Sequence, residues 1–362
     1  MMCQRLSGQN ACCRGLGALT SAVLALTLAP SAVPAQEPSG TVVGVIVARE
    51  TGEPLPYSVV AVSSLSIRRF ANDSGAFVLR DLPAGPRVVE IRRLGYAPRD
   101  VPVLVRTGAV DSIRVELTRV ALTLAAVQVR ADPACTTPGL RAVKDSVLAT
   151  VLMQLRMNGE QYRLLAESYP FVYMHERMTA SKLKSGDMRT DALDTIMLAS
   201  KQTWRYRPGR ILSRVGRSGL FFNIPTLPDF ADTLFLNHHC FTHGGIENVG
   251  GRDLIRIDVV ASARIKDPDV NGSIYLDPRT FQIRQSVLRL SRSPKVRGLT
   301  GLEVTTIFQE ALESIPIVSQ VQGVQTYDGK DRRRSYIEAY EYHDLIAFKF
   351  VGARPGEDPT KP

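Results

Sequence analysis

The stretch from Gly75 to Tyr96 constrains the chain more than any other. Phe77 and Leu79 alternate with Ala76, Val78 and Arg80, so the run has one apolar face at period two. Leu82-Pro83-Ala84-Gly85 then breaks it: proline presets φ and glycine accepts a positive φ, as a tight turn requires. Val89 and Ile91 alternate with Glu90 and Arg92 as a returning strand, and Gly95 marks a kink. The pattern predicts a β-hairpin, with a sheet built around it.

Further short strands are predicted at close spacing on either side: Thr41–Val47, Tyr57–Val62, Ile67–Phe70, Val101–Val105 and Ile113–Leu117. Between them lie Glu50–Pro56, dense in Gly and Pro, and Asn72-Asp73-Ser74-Gly75, whose Asn and Asp can bond their own backbone. This rhythm predicts an antiparallel β-sandwich, not a β-α-β fold.

Val45, Glu50-Thr51-Gly52-Glu53-Pro54-Leu55-Pro56, Asn72-Asp73-Ser74-Gly75-Ala76-Phe77, Leu82-Pro83-Ala84-Gly85 and Leu94-Gly95-Tyr96, in that order, resemble the carboxypeptidase regulatory-like domain over about residues 40–130. The resemblance implies a transthyretin-like sandwich, grouped with carbohydrate-binding-like folds. It implies no peptidase, because that chemistry belongs to a separate zinc domain with His-x-x-Glu, and none of the five His has Glu three positions on. The same module precedes many TonB-dependent outer-membrane receptors, which gives an accessory role in such transport as one alternative.

The N-terminus reads as a secretory signal over residues 1–35: Arg5 and Arg14 are its basic part, Leu16–Leu28 its apolar run, and Val33-Pro34-Ala35 a small-residue cleavage site. Cleavage removes Cys3, Cys12 and Cys13, leaving Cys135 and Cys240, and an oxidising compartment then predicts one disulfide between them. It also takes two positive charges from a net +10. The remaining Arg and Lys are scattered rather than clustered with stacking aromatics, which speaks against nucleic acid. No other window is long and apolar enough to span a membrane. The expectation is an exported protein of the periplasm, outer-membrane surface or exterior, with a polysaccharide, lipid or outer-membrane protein as partner.

Leu122–Val129 reads as a strand leaving the sandwich, and residues 131–139 as a linker carrying Cys135. Leu140, Val143, Val147, Val151 and Leu155 recur at helical spacing, predicting one amphipathic helix that stops at Asn158-Gly159. Residues 191–204 suit a short helix or an irregular connection equally. Long strands follow, first Tyr169–Met178 and then a run from Phe241 to Phe350, predicting a strongly curved antiparallel meander with residues 351–362 as a tail. That meander, with one helix and a Phe-rich cover, loosely resembles the half-barrel of lipoprotein-carrier proteins, above all in Gly272–Phe281. The fold class is therefore mostly β: an N-terminal sandwich over 40–130, then a helix-plus-sheet domain over 140–350.

Candidate chemistry is sparse. Asn237–His243 is the one dense group of ligand-type residues, and His238, His239 and His243 are candidates for a metal-dependent hydrolase. Strand alternation would put His238 and His239 on opposite faces, and a bridged Cys240 supplies no thiolate. His175-Glu176 lacks the second His of a zinc-protease motif, since position 179 is Thr. Asp267, Asp269 and Asn271 have calcium-loop spacing, but Pro268 intervenes and the twelfth position carries no Glu. No Gly-x-Ser-x-Gly, phosphate loop or dinucleotide pattern occurs. Phe221, Phe222, Phe230 and Phe235 either line an apolar ligand pocket or close the core. The reading is a non-enzymatic envelope protein without catalytic residues, metal or cofactor: a binding or docking sandwich joined to a scaffold or apolar-ligand-binding sheet.

Overall fold

The computed structural model describes residues 38–122, 134–140, 143, 145–201, 205–215 and 219–355. The expected signal segment, most of the strand predicted at 122–129 and the end of the tail lie outside them.

Seven strands make the sandwich: β1 (Ser39–Ala48), β2 (Val59–Val62), β3 (Ile67–Phe70), β4 (Ala76–Pro83), β5 (Gly85–Arg92), β6 (Arg99–Val105) and β7 (Val110–Leu117). They form two sheets, ordered β4-β1-β7 and β3-β2-β5-β6. Val42, Ile46, Leu79, Leu82, Val89, Ile91 and Leu117 fill the space between them. Pairing is antiparallel except between β1 and β7, which run parallel. The Asn72 turn forms as expected, with its Oδ1 accepting from the N–H of Ser74 (3.1 Å) and of Ala76 (2.8 Å).

The predicted hairpin is corrected. β4 pairs with β1, whereas β5 pairs with β2 and β6, so the Pro83-Ala84-Gly85 turn carries the chain from one sheet to the other. Gly85 takes the turn with φ 116°, and Arg87 Nε donates to Pro83 O across the corner at 3.1 Å. Period-two alternation marks a strand and its buried face, but both sheets of a sandwich bury the same kind of face.

Helix α1 spans Ser146–Ser168, capped by Asp145, whose side chain accepts from the N–H groups of Val147 and Leu148. It therefore starts later than predicted and runs through Asn158-Gly159. Both residues are used in packing. Asn158 Nδ2 donates to Phe281 O (2.9 Å) and to Gln154 O (2.9 Å), while its Oδ1 accepts from Ile283 N (2.9 Å). At Gly159 a Cβ would lie 2.7 Å from Leu227 O, so only glycine lets the neighbouring 3-10 turn (Leu227–Ala231) approach. Tertiary bonds override the local stop signal.

The rest is one nine-stranded antiparallel sheet. Its strands are β8 (Phe171–Leu183), β9 (Met188–Ala199), β12 (His239–Val249), β13 (Arg252–Ala261), β14 (Val270–Leu276), β15 (Ile283–Leu290), β16 (Leu299–Leu312), β17 (Ile315–Tyr327) and β18 (Tyr336–Phe350). A separate ribbon pairs β10 (Leu212–Val215) with β11 (Gly219–Phe222). The large sheet is a meander from β12 to β18 to which β8 and β9 are added: β8 pairs with β18, and β9 is the edge. Residues 191–199, left open between helix and irregular chain, belong to β9. Helix α1 covers the inner face, where Leu152, Leu155 and Leu165 join Phe171, Ile257, Ile274, Leu276 and Ile283 in one core.

Val59, Phe70 and Leu94 of the sandwich belong to that same core. Gln154 of α1 accepts from Gly95 N at 2.9 Å and donates to Tyr96 O at 3.4 Å. The buried Arg93 guanidinium donates to Pro56 O and bonds Glu313 at 2.6 Å. The Leu94-Gly95-Tyr96 kink is thus the seam joining sandwich to sheet.

Candidate functional site

Cys135 and Cys240 form a disulfide with a Cα–Cα separation of 5.5 Å, which occupies Cys240 and ties the start of β12 to the segment 134–140 ahead of α1. The three neighbouring histidines do different things. His238 ends the short helix α2 (Thr233–His238) and bonds Leu234 O through Nδ1 at 2.7 Å. His239 is fully buried, with Nδ1 on Phe235 O (2.8 Å) and Nε2 3.5 Å from Asp269 Oδ1. His243 is buried farther along β12 with no hydrogen-bond partner among the described residues. Among the described residues no three His, Cys, Asp or Glu side chains are placed to hold a metal.

Asp269 belongs to this buried network rather than to a calcium loop. Its Oδ2 accepts from the Tyr206 hydroxyl and from Gly209 N, both at 2.8 Å. Burial pushes its carboxyl up, but the bonds from His239, Gly209 and Tyr206 outweigh burial and hold it below the ordinary carboxylate value. Asn271 bonds Ala261 N at 2.8 Å instead of pointing at a shared centre. The network locks the helical segment 227–238 onto the end of the sheet.

The Phe-rich segment divides. Phe230 and Phe235 are both 0% exposed, and their ring centroids lie 5.4 Å apart within the α1 core. Phe222 is half-buried, and Phe221 stands out at 56% exposure on β11.

A polar cluster occupies the inner face of β8, β9 and β18. His175 and Arg177 follow Phe171 and Tyr173 at period two along β8. Arg177 bonds Asp194 of β9 through two nitrogens, at 2.9 and 2.5 Å, and His343 Nε2 lies 2.8 Å from Glu341 Oε1 on β18. The His175 and His343 ring centroids are 5.9 Å apart. The His343 bond holds the Glu341 carboxyl below its usual range against the opposing effect of burial. Burial pushes the His175 imidazole down, helped by His343 and opposed by Asp344. Its ring nitrogens have no protein partner among the described residues. In the sequence His175 marks only the start of an incomplete zinc-protease motif, and nothing there singles out Arg177, Asp194, Glu341 or His343, because cross-strand register brings them together.

The sandwich carries an open groove, about 670 Å³, on the outer face of β5 and β6. Pro86 pairs with Leu104 and Val88 with Pro102, while Ser63, Ser64, Arg87 and Glu90 form the rim. Val89, Ile91 and Val105 alternate into the core, so Val88 (47% exposed) and Leu104 (64%) are left facing solvent. Pro102 lacks an N–H, which suits β6 as an edge strand. No aromatic side chain lines this groove. The doublet Val88-Val89 and the triplet Val103-Leu104-Val105 were the available signal, since adjacent apolar residues in a strand cannot both face the core. A second cleft, about 420 Å³, lies beside the C-terminal half of α1 and is lined by charges of both signs, including Arg163, Glu167, Lys201, Arg205, Asp229 and Asp232.

Residues 41–118 match the family model of the carboxypeptidase regulatory-like domain. No curated protein matches the chain. Among solved structures, a minor pilin from Streptococcus agalactiae is 14% identical at TM-score 0.22, aligned over 25% of this chain and 49% of its own, so the chain spans about half of that pilin. An outer membrane lipoprotein-sorting protein domain from Vibrio parahaemolyticus is 11% identical at TM-score 0.32, over 57% of this chain and 93% of its own. A LolA superfamily protein from Nitrosomonas europaea is 10% identical at TM-score 0.29, over 56% and 94%. No described helix is long and apolar enough to cross a membrane.

Proposed function

Taking residues 41–118 as a carboxypeptidase regulatory-like domain, we propose that the chain is a non-enzymatic binding protein of the cell envelope. The sandwich is its docking module and the curved sheet is the scaffold that holds it. The division into sandwich, linker and sheet domain, and export by an N-terminal signal, are parts of this proposal. The seam carries the reading. Gln154 closes the Leu94-Gly95-Tyr96 kink from the helix side, and Leu94 shares the α1 core, so the groove is presented from a fixed base. A preorganised surface binds without first losing the entropy of a mobile tether.

The apolar-ligand alternative is less well supported, because Phe230 and Phe235 are fully buried in the core and do not line an open pocket. The hydrolase alternative lacks a shared centre for its histidines. The groove offers aliphatic anchors with an Arg and a Glu at its rim, which suits protein side chains.

A photo-crosslinking residue at Leu104, compared with one at Val110 on the other sheet, tests this in intact cells. Crosslinking from Leu104 to a discrete envelope protein, lost in Val88→Asp, is expected. Native mass spectrometry showing one bound lipid per chain, with no crosslink from Leu104, would replace docking by carriage.

A further inference from the structure

We propose that β9 is a self-association edge, through which two copies of this chain join their large sheets antiparallel about a two-fold axis at Thr195. β9 ends the nine-stranded sheet and pairs only with β8 among the described residues. None of its residues is buried. Met188, Leu193 and Met197 are 58%, 64% and 72% exposed, and Met174 of β8, opposite Met197, adds to the patch.

Edge strands that stay single are blunted by Lys, Pro or unpaired inward charges. Met188–Ala199 contains no Lys and no Pro. Its charges are already engaged: Arg189 with Asp191 at 2.6 Å, and Asp194 with Arg177. A register shift at Thr179/Ala180 bends only the Met188 end, leaving Leu193–Ala199 regular. The opposite edge of the sheet is managed differently. Its strand β12 is covered at its start, where Gly139 N donates to His239 O at 3.0 Å.

The sequence of the edge favours a second copy over an unrelated strand. Residues directly opposite in an antiparallel pair share a face. With Thr195 opposite itself, Leu193 meets Met197 of the second copy, and Met197 meets its Leu193. All four lie on the outer face next to the two Met174 side chains. The patch is therefore self-complementary, as a closed two-fold interface requires. About seven residues per copy is a small interface, so the dimer forms in a concentration-dependent equilibrium.

The test uses the mature full chain. Sedimentation velocity over a hundredfold concentration range should show the mass rising toward twice that of the monomer. Met197→Lys, at an exposed position, should stay monomeric throughout with an unchanged melting temperature. Thr195→Cys adds one free thiol beside the bridged Cys135–Cys240 pair, and should give a disulfide-linked dimer on mild oxidation. Thr305→Cys, inside the same sheet on β16, should not. A wild-type chain that remains monomeric, association that survives Met197→Lys, or equal crosslinking from Thr195→Cys and Thr305→Cys would each overturn the proposal.

Discussion

Replacing Asn158 by alanine probes the contact on which the helix–sheet packing turns. The side chain accepts from Ile283 N and donates to Phe281 O, each at 2.9 Å, and both residues are buried. Its bond to Gln154 O is dispensable, because helix carbonyls at that depth already have partners. The substitution therefore strands one buried donor and one buried acceptor, at about 1–3 kcal/mol each. Alanine's better helix propensity returns about 0.6 kcal/mol. The net loss is about 3 kcal/mol. At ~2.1 cal/mol/K per residue over the compact unit Pro38–Pro362, the melting temperature falls by about 4–5 °C. Differential scanning calorimetry reads the shift, and hydrogen exchange at the Ile283 amide locates it. Exchange there should accelerate while the sandwich core amides stay protected. A shift under about 1 °C with Ile283 protection unchanged would refute the assignment of the Asn158 side chain as a bridge.

Two further outcomes are expected. Replacing Cys135 and Cys240 together by serine frees a loop with a sequence separation of 105, worth about 4.8 kcal/mol in the chain-entropy model. The melting temperature should drop by about 7 °C in calorimetry, and a drop below about 2 °C would show that the bridge constrains little. Burial lowers the His175 pKa, so on acidification the folded state takes up this proton later than the unfolded state, which does so near its ordinary value of about 6.5. Wild-type stability should therefore fall on acidification from about pH 7 to pH 5.5, and His175→Phe should flatten that part of the pH–melting profile; parallel profiles would remove His175 from the acid response.

Much of the fold was legible because burial imprints a period. Most strands of the sandwich and the meander keep one face in a core, and their alternation shows it, as in β4 and β13. β9 left no such trace: its side chains are solvated on both faces, so nothing in Met188–Ala199 separates strand from loop. Partner choice was hidden for a related reason. β4 and β5 each display a valid apolar face, and only the assembled sandwich decides that they belong to different sheets. Asn158-Gly159 misled because its usual meaning is local, whereas here Asn158 bonds residues far along the chain and Gly159 admits Leu227. The disulfide followed from cysteine count and compartment. The groove around Val88 and Leu104 and the His175–His343 cluster depend on cross-strand register, which the sequence does not state.

The addition of β8 to β18 has a consequence for how the molecule is made. Phe171, early in the sheet, is paired with Phe350, near its end. Until the last long strand has left the ribosome, the β8–β9 ribbon has no neighbour on its inner side. Ring closure over so long a loop is slow. A chain cut short before Tyr336 would therefore lose more than its final strand: it would release two others, and with them the Met-bearing rim, to whatever sticky surface lies nearby.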